Sequence, residues 1–145
     1  MHGQFAIGVA ASLINIAVHA SIMALLTWTV HRAARATDAM GLKPRLMLVM
    51  MATVAVLMLA HLIEVGIWGV TYATLGVTRD PIDSYYFAFV NYTTLGYGDI
   101  LPVADWRLLG PLAAMNGVLL FGWSAAVIFD VLRTLTRAEW SNVET

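Results

Sequence analysis

The sequence contains no cysteine, so neither a disulfide framework nor a thiolate metal site can form within this chain. Charged residues are also scarce, at 12 % of the 145 residues, whereas 60 % are hydrophobic. Both values differ from those of a typical soluble domain, so a lipid bilayer is the expected solvent of the folded chain. The formal net charge of −1 argues against nucleic acid as a partner.

Other functional signatures are missing as well. The four histidines show no metal-ligand spacing in the sequence, and no nucleophile stands beside a base. We therefore expect neither an enzyme nor a protein-bound cofactor. The N-terminus lacks the basic region of a secretory signal, which predicts a retained membrane helix. No soluble ligand-binding domain is expected, because the last membrane segment is followed by only a short tail.

Three apolar stretches are each long enough to cross a hydrocarbon core of about 30 Å. They predict an extra membrane helix in residues 1–31, an outer helix at 46–77 and an inner helix at 107–136. Lysine and arginine are more frequent in the connection 32–45 and at the end of the third span than in the remaining loop. The positive-inside rule therefore places this connection and the short tail 138–145 in the cytoplasm, with the N-terminus outside. We expect a multi-pass protein of the cell (inner) membrane.

A short apolar segment between the second and third spans predicts a helix over residues 81–92. Asp80 suits a helix cap, and Pro81 suits the first helical position. The apolar part, residues 82–92, would be only about 16 Å long at 1.5 Å per residue, so it can enter the membrane but not cross it. Its C-terminal end would carry a partial negative charge into the membrane, which favours a cation there.

The run Thr94-Leu95-Gly96-Tyr97-Gly98 follows this short helix. Non-helical backbone at membrane depth is tolerated only where protein buries it or water reaches it. Glycine takes left-handed backbone angles without a steric penalty, and alternating left- and right-handed residues turn successive carbonyls to the same side. Four chains would then offer rings of oxygens that replace the hydration shell of an ion. We expect the side chains of Leu95 and Tyr97 to point back into the packing around the short helix.

Residues 85–99, with the sequence YYFAFVNYTTLGYGD, resemble the pore helix and selectivity filter of the potassium channel superfamily. The resemblance covers the pore module at 46–137 and is greatest to small prokaryotic ion-channel proteins and to the pore loops of two-pore-domain channels. It implies an all-α membrane protein with three transmembrane helices, a re-entrant pore helix and a filter loop. Four identical chains would form one pore, a homotetramer in the lipid bilayer that passes K⁺ passively.

The same resemblance implies roles for residues 93–99. The carbonyl oxygens of the filter and the Thr94 hydroxyl would bind K⁺, which is the permeant ion and not a cofactor. The implied filter and ion-binding residues are Thr94, Leu95, Gly96, Tyr97 and Gly98. The implied supporting residues are Tyr92, Thr93 and Asp99, the last of which would form a hydrogen bond behind the filter.

Two alternatives stay open. Leu95 stands where valine or isoleucine is usual in the superfamily, and a more flexible side chain there would loosen selectivity. The first alternative is therefore a weakly selective cation channel. The second is a non-conducting auxiliary or sensor subunit with a channel-like fold. The intact pair of filter glycines weighs against this second interpretation.

Glu64 is an ionisable residue well inside the second span, and His61 lies one helical turn before it. Counting at about 1.5 Å per residue puts Glu64 near the level of Asn116 on the third span. We expect Glu64 to hydrogen-bond to Asn116 or to the short helix near Tyr92. A buried polar clasp and a gating site are both compatible with this pattern.

Small residues recur on the first and third spans. On the third span, Gly117 or Gly122 could be a hinge of the inner helix, or could permit close packing between helices. On the first span, Gly8, Ser12, Asn15 and His19 recur at spacings of three and four residues. This stripe predicts a helix-packing face.

Overall fold

A computed structural model of the protein describes residues 2–36 and 41–143, and this described part is built from helices. The element bounds are α1 His2–Ala36, α2 Leu42–Leu75, α3 Pro81–Tyr92, a 3₁₀ turn Ala104–Trp106 and α4 Leu109–Val143. Three segments are long and apolar enough to cross a membrane, and they are His2–Val30, Leu42–Leu75 and Ala104–Arg137. The three predicted membrane helices are therefore present.

The long helices extend beyond their predicted ends. Helix α2 begins at Leu42, inside the predicted basic connection, because Pro44 falls in the first helical turn, where a missing N–H costs little. Helix α4 continues to Val143, into the predicted tail, since no glycine or proline interrupts the chain there. Residues 37–40 of the predicted connection lie outside the described residues.

The connection between α2 and α3 is set by two local signals. Gly76 ends α2 in the left-handed conformation, with φ +62°, and its N–H donates to the carbonyls of α2. At the start of α3, the Asp80 side chain accepts a hydrogen bond of 2.8 Å from the Ile82 N–H, and Pro81 occupies the first turn. The predicted cap is confirmed.

Helix α3 packs against both α2 and α4. Its approach to α2 depends on Gly69, because a Cβ added there would overlap the ring of Tyr85. A buried aromatic and aliphatic core surrounds α3 and contains Trp68, Tyr72, Tyr92 and Leu109. A second core joins the opposite ends of α1, α2 and α4 around Met23, Leu57 and Leu135. The short helix is thereby held between the long ones at one end of the bundle.

Candidate functional site

The chain turns back on itself where α3 ends. The N–H groups of Thr93 and Thr94 donate to the carbonyls of Phe89 and Asn91 at 3.0 and 2.9 Å. The next two N–H groups, of Leu95 and Gly96, both donate to the carbonyl of Val90, at 2.9 and 3.3 Å. These bonds satisfy carbonyls that a helix C-terminus otherwise leaves unpaired. They also fix residues 93–96 against the end of α3.

Backbone angles alternate through the segment that follows. Thr94, Gly96 and Gly98 have φ values of +61°, +61° and +76°, whereas Leu95 and Tyr97 between them have negative φ. The predicted use of both glycines is therefore present, and the alternation extends to Thr94. A β-branched residue in the left-handed region is strained. Such strain persists only where the surroundings enforce it, and it concentrates at functional sites.

The carbonyl oxygens of residues 94–98 are not used by the fold. Among the described residues, no backbone N–H or side chain donates a hydrogen bond to any of them. All five residues are exposed in the single chain, so these oxygens are open to an external partner such as water or an ion. Residues 93–98 are called the filter segment below.

The side chains of the filter segment differ from the expectation. Leu95 is 53 % exposed and Tyr97 is 69 % exposed in the single chain, so they do not pack around α3 as predicted. On α3 itself, Tyr85, Tyr86 and Phe89 are exposed in the single chain as well.

Asp99 directly follows the filter segment and is held by Tyr86. The Tyr86 hydroxyl donates to Oδ2 of Asp99 at 2.6 Å. This hydrogen bond lowers the pKa of the Asp99 carboxyl below its ordinary value, and the same contact raises the pKa of the Tyr86 phenol. The sequence indicated that Asp99 supports the filter but did not identify its partner, since α3 carries several aromatic residues.

Glu64 lies in a buried polar cluster that joins three helices. Its Oε1 accepts from Nδ1 of His19 on α1 at 2.7 Å, and its Oε2 lies 2.9 Å from Nδ1 of His61. The Tyr92 hydroxyl at the end of α3 donates to Oε2 as well. Glu64 and His19 are fully buried. These four residues are called the Glu64 cluster below.

Of the two alternatives predicted for Glu64, the hydrogen bond to Tyr92 at the end of α3 is present, and the one to Asn116 is not. Oδ1 of Asn116 instead accepts from Asn15 at 2.9 Å and from the Trp68 indole at 3.1 Å, and its Nδ2 finds no partner in the described part of the chain. Asn15 also donates to the backbone carbonyl of Glu64 at 3.3 Å. The side chains of Glu64 and Asn116 therefore lie at one level of the bundle but point toward different partners.

The sequence predicted that His19 lies on the packing face of the first span but not that it contacts Glu64. Gly8, Asn15 and His19 do face the other helices, as the predicted packing stripe requires.

The two glycines of α4 occupy different environments. A Cβ added at Gly117 would overlap the carbonyl oxygen of Tyr92. Outside the backbone of α4 itself, no described atom lies within 4 Å of a Cβ added at Gly122. Gly117 therefore permits the close approach of α4 to the end of α3. Gly122 has no such packing reason, and its role as a hinge stays a prediction.

The chain was compared with known proteins. A family model described as "Ion channel" matches residues 46–134, which is more than half of the chain. No curated protein and no solved structure matches it. The matched region contains α2, α3, the filter segment and most of α4, and this family indicates a membrane transport role and not an enzymatic one. The chain therefore belongs to the ion channel family, and residues 46–134 form a potassium-channel-like pore module.

Proposed function

We propose that four copies of this chain assemble around one axis into a passive K⁺-selective channel. The filter segment of each copy supplies one side of the filter. In this proposal α3 is the re-entrant pore helix, and α2 and α4 are the outer and inner helices. The K⁺ ligands are the carbonyls of residues 94–97 and the Thr94 hydroxyl.

The observation that carries the proposal is the run of unpaired carbonyls at 94–98 with alternating φ at Thr94, Gly96 and Gly98. Alternation of this kind turns successive oxygens toward one side of the chain. Carbonyl oxygens at close spacing replace the hydration shell of K⁺. In a strand or a helix these oxygens would accept backbone hydrogen bonds, so regular secondary structure does not account for this conformation.

The tetramer follows from what a single chain lacks. One filter segment offers oxygens from one direction, whereas a dehydrated cation needs them from all sides. Leu95 and Tyr97 are exposed on the single chain, and a neighbouring copy related by rotation would cover them. Closed rotational symmetry is the usual arrangement of identical membrane subunits.

Charge around the filter supports cation conduction. The C-terminal end of α3 carries a partial negative charge directly before Thr93. On the same side of the bundle as Asp99, acidic residues outnumber basic ones in the loops around the filter. These are Asp80, Asp83, Asp99 and Asp105, against Arg79 and Arg107. Together they would concentrate cations at the outer mouth, with the N-terminus outside and the C-terminus in the cytoplasm.

The test is ion flux from purified protein in liposomes, comparing K⁺ with Na⁺. We expect K⁺ flux to exceed Na⁺ flux, and Gly96→Ala to abolish it, since a side chain is strained at φ +61°. Gly66→Ala is the matched control, because a Cβ at this helical glycine meets nothing in the described residues.

The other two candidate functions give different results in the same assay. Equal K⁺ and Na⁺ flux that is still abolished by Gly96→Ala would identify a weakly selective cation channel. Absence of flux at every pH and voltage would identify a non-conducting auxiliary or sensor subunit. Native mass in mild detergent gives an independent check, because a monomer or dimer would contradict a four-sided filter.

A further inference from the structure

The Glu64 cluster has the composition of a metal site. The sequence shows no metal-ligand spacing of its histidines, but the fold brings His19 of α1 to His61 and Glu64 of α2. One ligand atom from each of these three residues lies within 4.8 Å of the other two. Two imidazoles and a carboxylate are a ligand set that Zn²⁺ accepts, with bonds of about 2.0–2.2 Å.

A fourth donor completes the set. The Tyr92 hydroxyl lies 3.0 Å from Nδ1 of His61 and also contacts Glu64. Ligands around a tetrahedral ion are about 3.3 Å apart for bonds of this length. The nitrogen-to-oxygen distances of 2.7 and 2.9 Å end on different oxygens of Glu64, Oε1 for His19 and Oε2 for His61, and both are shorter than this separation, so binding of an ion requires these side chains to move apart. His61 and Glu64 stand three residues apart on α2, so one helical turn presents both to the same point.

The surroundings orient the ligands. Nε2 of His61 lies 2.9 Å from the Ser124 hydroxyl on α4, which leaves Nδ1 facing the cluster. Metal-binding histidines commonly hold their second nitrogen in this way. Nε2 of His19 is buried and finds no partner among the described residues, so the second nitrogen of this ring is not held in the same way. Rings of Phe121 and Trp123 pack beside the two histidines and shield the cluster.

We propose that His19, His61, Glu64 and Tyr92 bind one divalent transition-metal ion of the zinc class within the membrane. The ion would join α1 and α2 to the last residue of α3. A cavity of about 150 Å³ lies beside His61 and Tyr92. This site is separate from the filter carbonyls, and its occupancy does not depend on whether the chain conducts K⁺.

The probe is Co²⁺ alone, added to purified full-length protein in lipid nanodiscs and carrying a tag without histidine. We expect one Co²⁺ per chain and the strong visible absorption of a tetrahedral Co²⁺ site, with displacement by Zn²⁺. Octahedral aqueous Co²⁺ absorbs far more weakly, so the spectrum separates this site from surface binding. Absence of the tetrahedral spectrum in the wild type would overturn the proposal.

Variants identify the ligands. His19→Gln and Glu64→Gln should each lose the tetrahedral spectrum, whereas His2→Gln, at the exposed start of α1, should retain it. If His19→Gln and Glu64→Gln bind Co²⁺ as the wild type does, the assignment is wrong. Helical circular dichroism is recorded for each variant, so that unfolding is not mistaken for ligand loss.

A milder variant tests the site without removing a ligand. Ser124→Ala removes only the partner of His61 and should weaken Co²⁺ binding about 10- to 100-fold. Ser21→Ala is its control, because the exposed Ser21 hydroxyl donates only to the Ala17 carbonyl of its own helix. Unchanged affinity in Ser124→Ala would contradict the proposed orientation of His61. These measurements need no ion flux, so they test metal binding even if the protein does not conduct K⁺.

Discussion

The filter segment and the Glu64 cluster meet at the end of α3, where Tyr92 belongs to the cluster and Thr93 begins the segment. The two regions differ in how far their polar groups are paired by hydrogen bonds within the chain. In the cluster, the carboxylate of Glu64 accepts hydrogen bonds from side chains on three helices while it is fully buried. In the filter segment, the N–H groups of residues 93–96 donate to carbonyls of α3, whereas no donor among the described residues reaches the carbonyls of residues 94–98.

The two regions differ in whether the described fold itself pairs their polar groups. A buried charge is tolerated only when it is paired, so the cluster satisfies Glu64 internally and ties helices together. Free carbonyls in a membrane are costly unless an ion or water replaces the missing donors. The adjacent position of the two regions means that the cluster holds the helix from which the filter segment begins.

The largest effect is expected from Glu64→Gln, which removes the charge that the cluster is built around. When one member of a buried charged pair is removed, its partners are left unsatisfied, and this lowers the free energy of unfolding by about 3–5 kcal/mol. The loss of stability is measured by unfolding the protein in mild detergent and following its tryptophan fluorescence. Asp105→Asn is the control at an exposed carboxylate and should change stability by less than about 0.5 kcal/mol.

The same variant separates the two interpretations of Glu64. A gating site predicts that the pH dependence of K⁺ flux changes in Glu64→Gln. A clasp predicts lower stability with the wild-type pH dependence retained.

A smaller effect is expected where α4 touches the end of α3. Gly117→Ala places a Cβ against the Tyr92 carbonyl, and overpacking of this kind costs about 1–3 kcal/mol of stability. Gly122→Ala should be neutral or stabilising, since the Cβ meets no described neighbour and alanine favours helix. Equal unfolding midpoints for the two variants would contradict the packing assigned to Gly117.

In the filter segment the expected cost is local. Gly98→Ala forces a side chain to φ +76°, which costs about 1–2 kcal/mol. We expect K⁺ flux to fall at least about tenfold while the unfolding transition of the helices stays close to the wild type. A variant that conducts normally would show that the alternation of φ is not needed for transport.

The smallest effect is expected from Tyr86→Phe, because both Tyr86 and Asp99 are exposed. Loss of the hydrogen bond should raise the pKa of Asp99 toward its ordinary value. A carboxyl with a lowered folded-state pKa stabilises the fold above its unfolded-state pKa, and this contribution disappears as the pH falls through the folded-state pKa. In Tyr86→Phe this pH-dependent contribution should be absent, and the Asp99 carboxyl should take up its proton at a higher pH than in the wild type.

Carboxyl titration by NMR or by infrared spectroscopy measures the change. Tyr85→Phe is the control, since its ring remains against Gly69 and Asp99 keeps its partner. An identical titration of Asp99 in the wild type and in Tyr86→Phe would contradict the role of the hydrogen bond.

The sequence correctly predicted the features of the molecule that depend on local properties of the chain. The three spans follow from apolar length, the start of α3 from Asp80 and Pro81, and the positive φ values at Gly96 and Gly98 from the need for left-handed backbone. Each depends on a few consecutive residues. Thr94 was not predicted to take positive φ, because nothing in its side chain favours that conformation.

The sequence by itself therefore determined the helices, their caps and the glycine positions of the filter segment, because hydropathy and backbone freedom are local properties. It also placed Glu64 and Asn116 at similar depths, since rise per residue is constant in a helix. Only the tertiary structure decided that Glu64 faces His19 and Tyr92 while Asn116 faces Asn15 and Trp68. Helices α1 and α2 are apolar around most of their circumference, so no stripe in their sequences reveals how each is rotated about its axis.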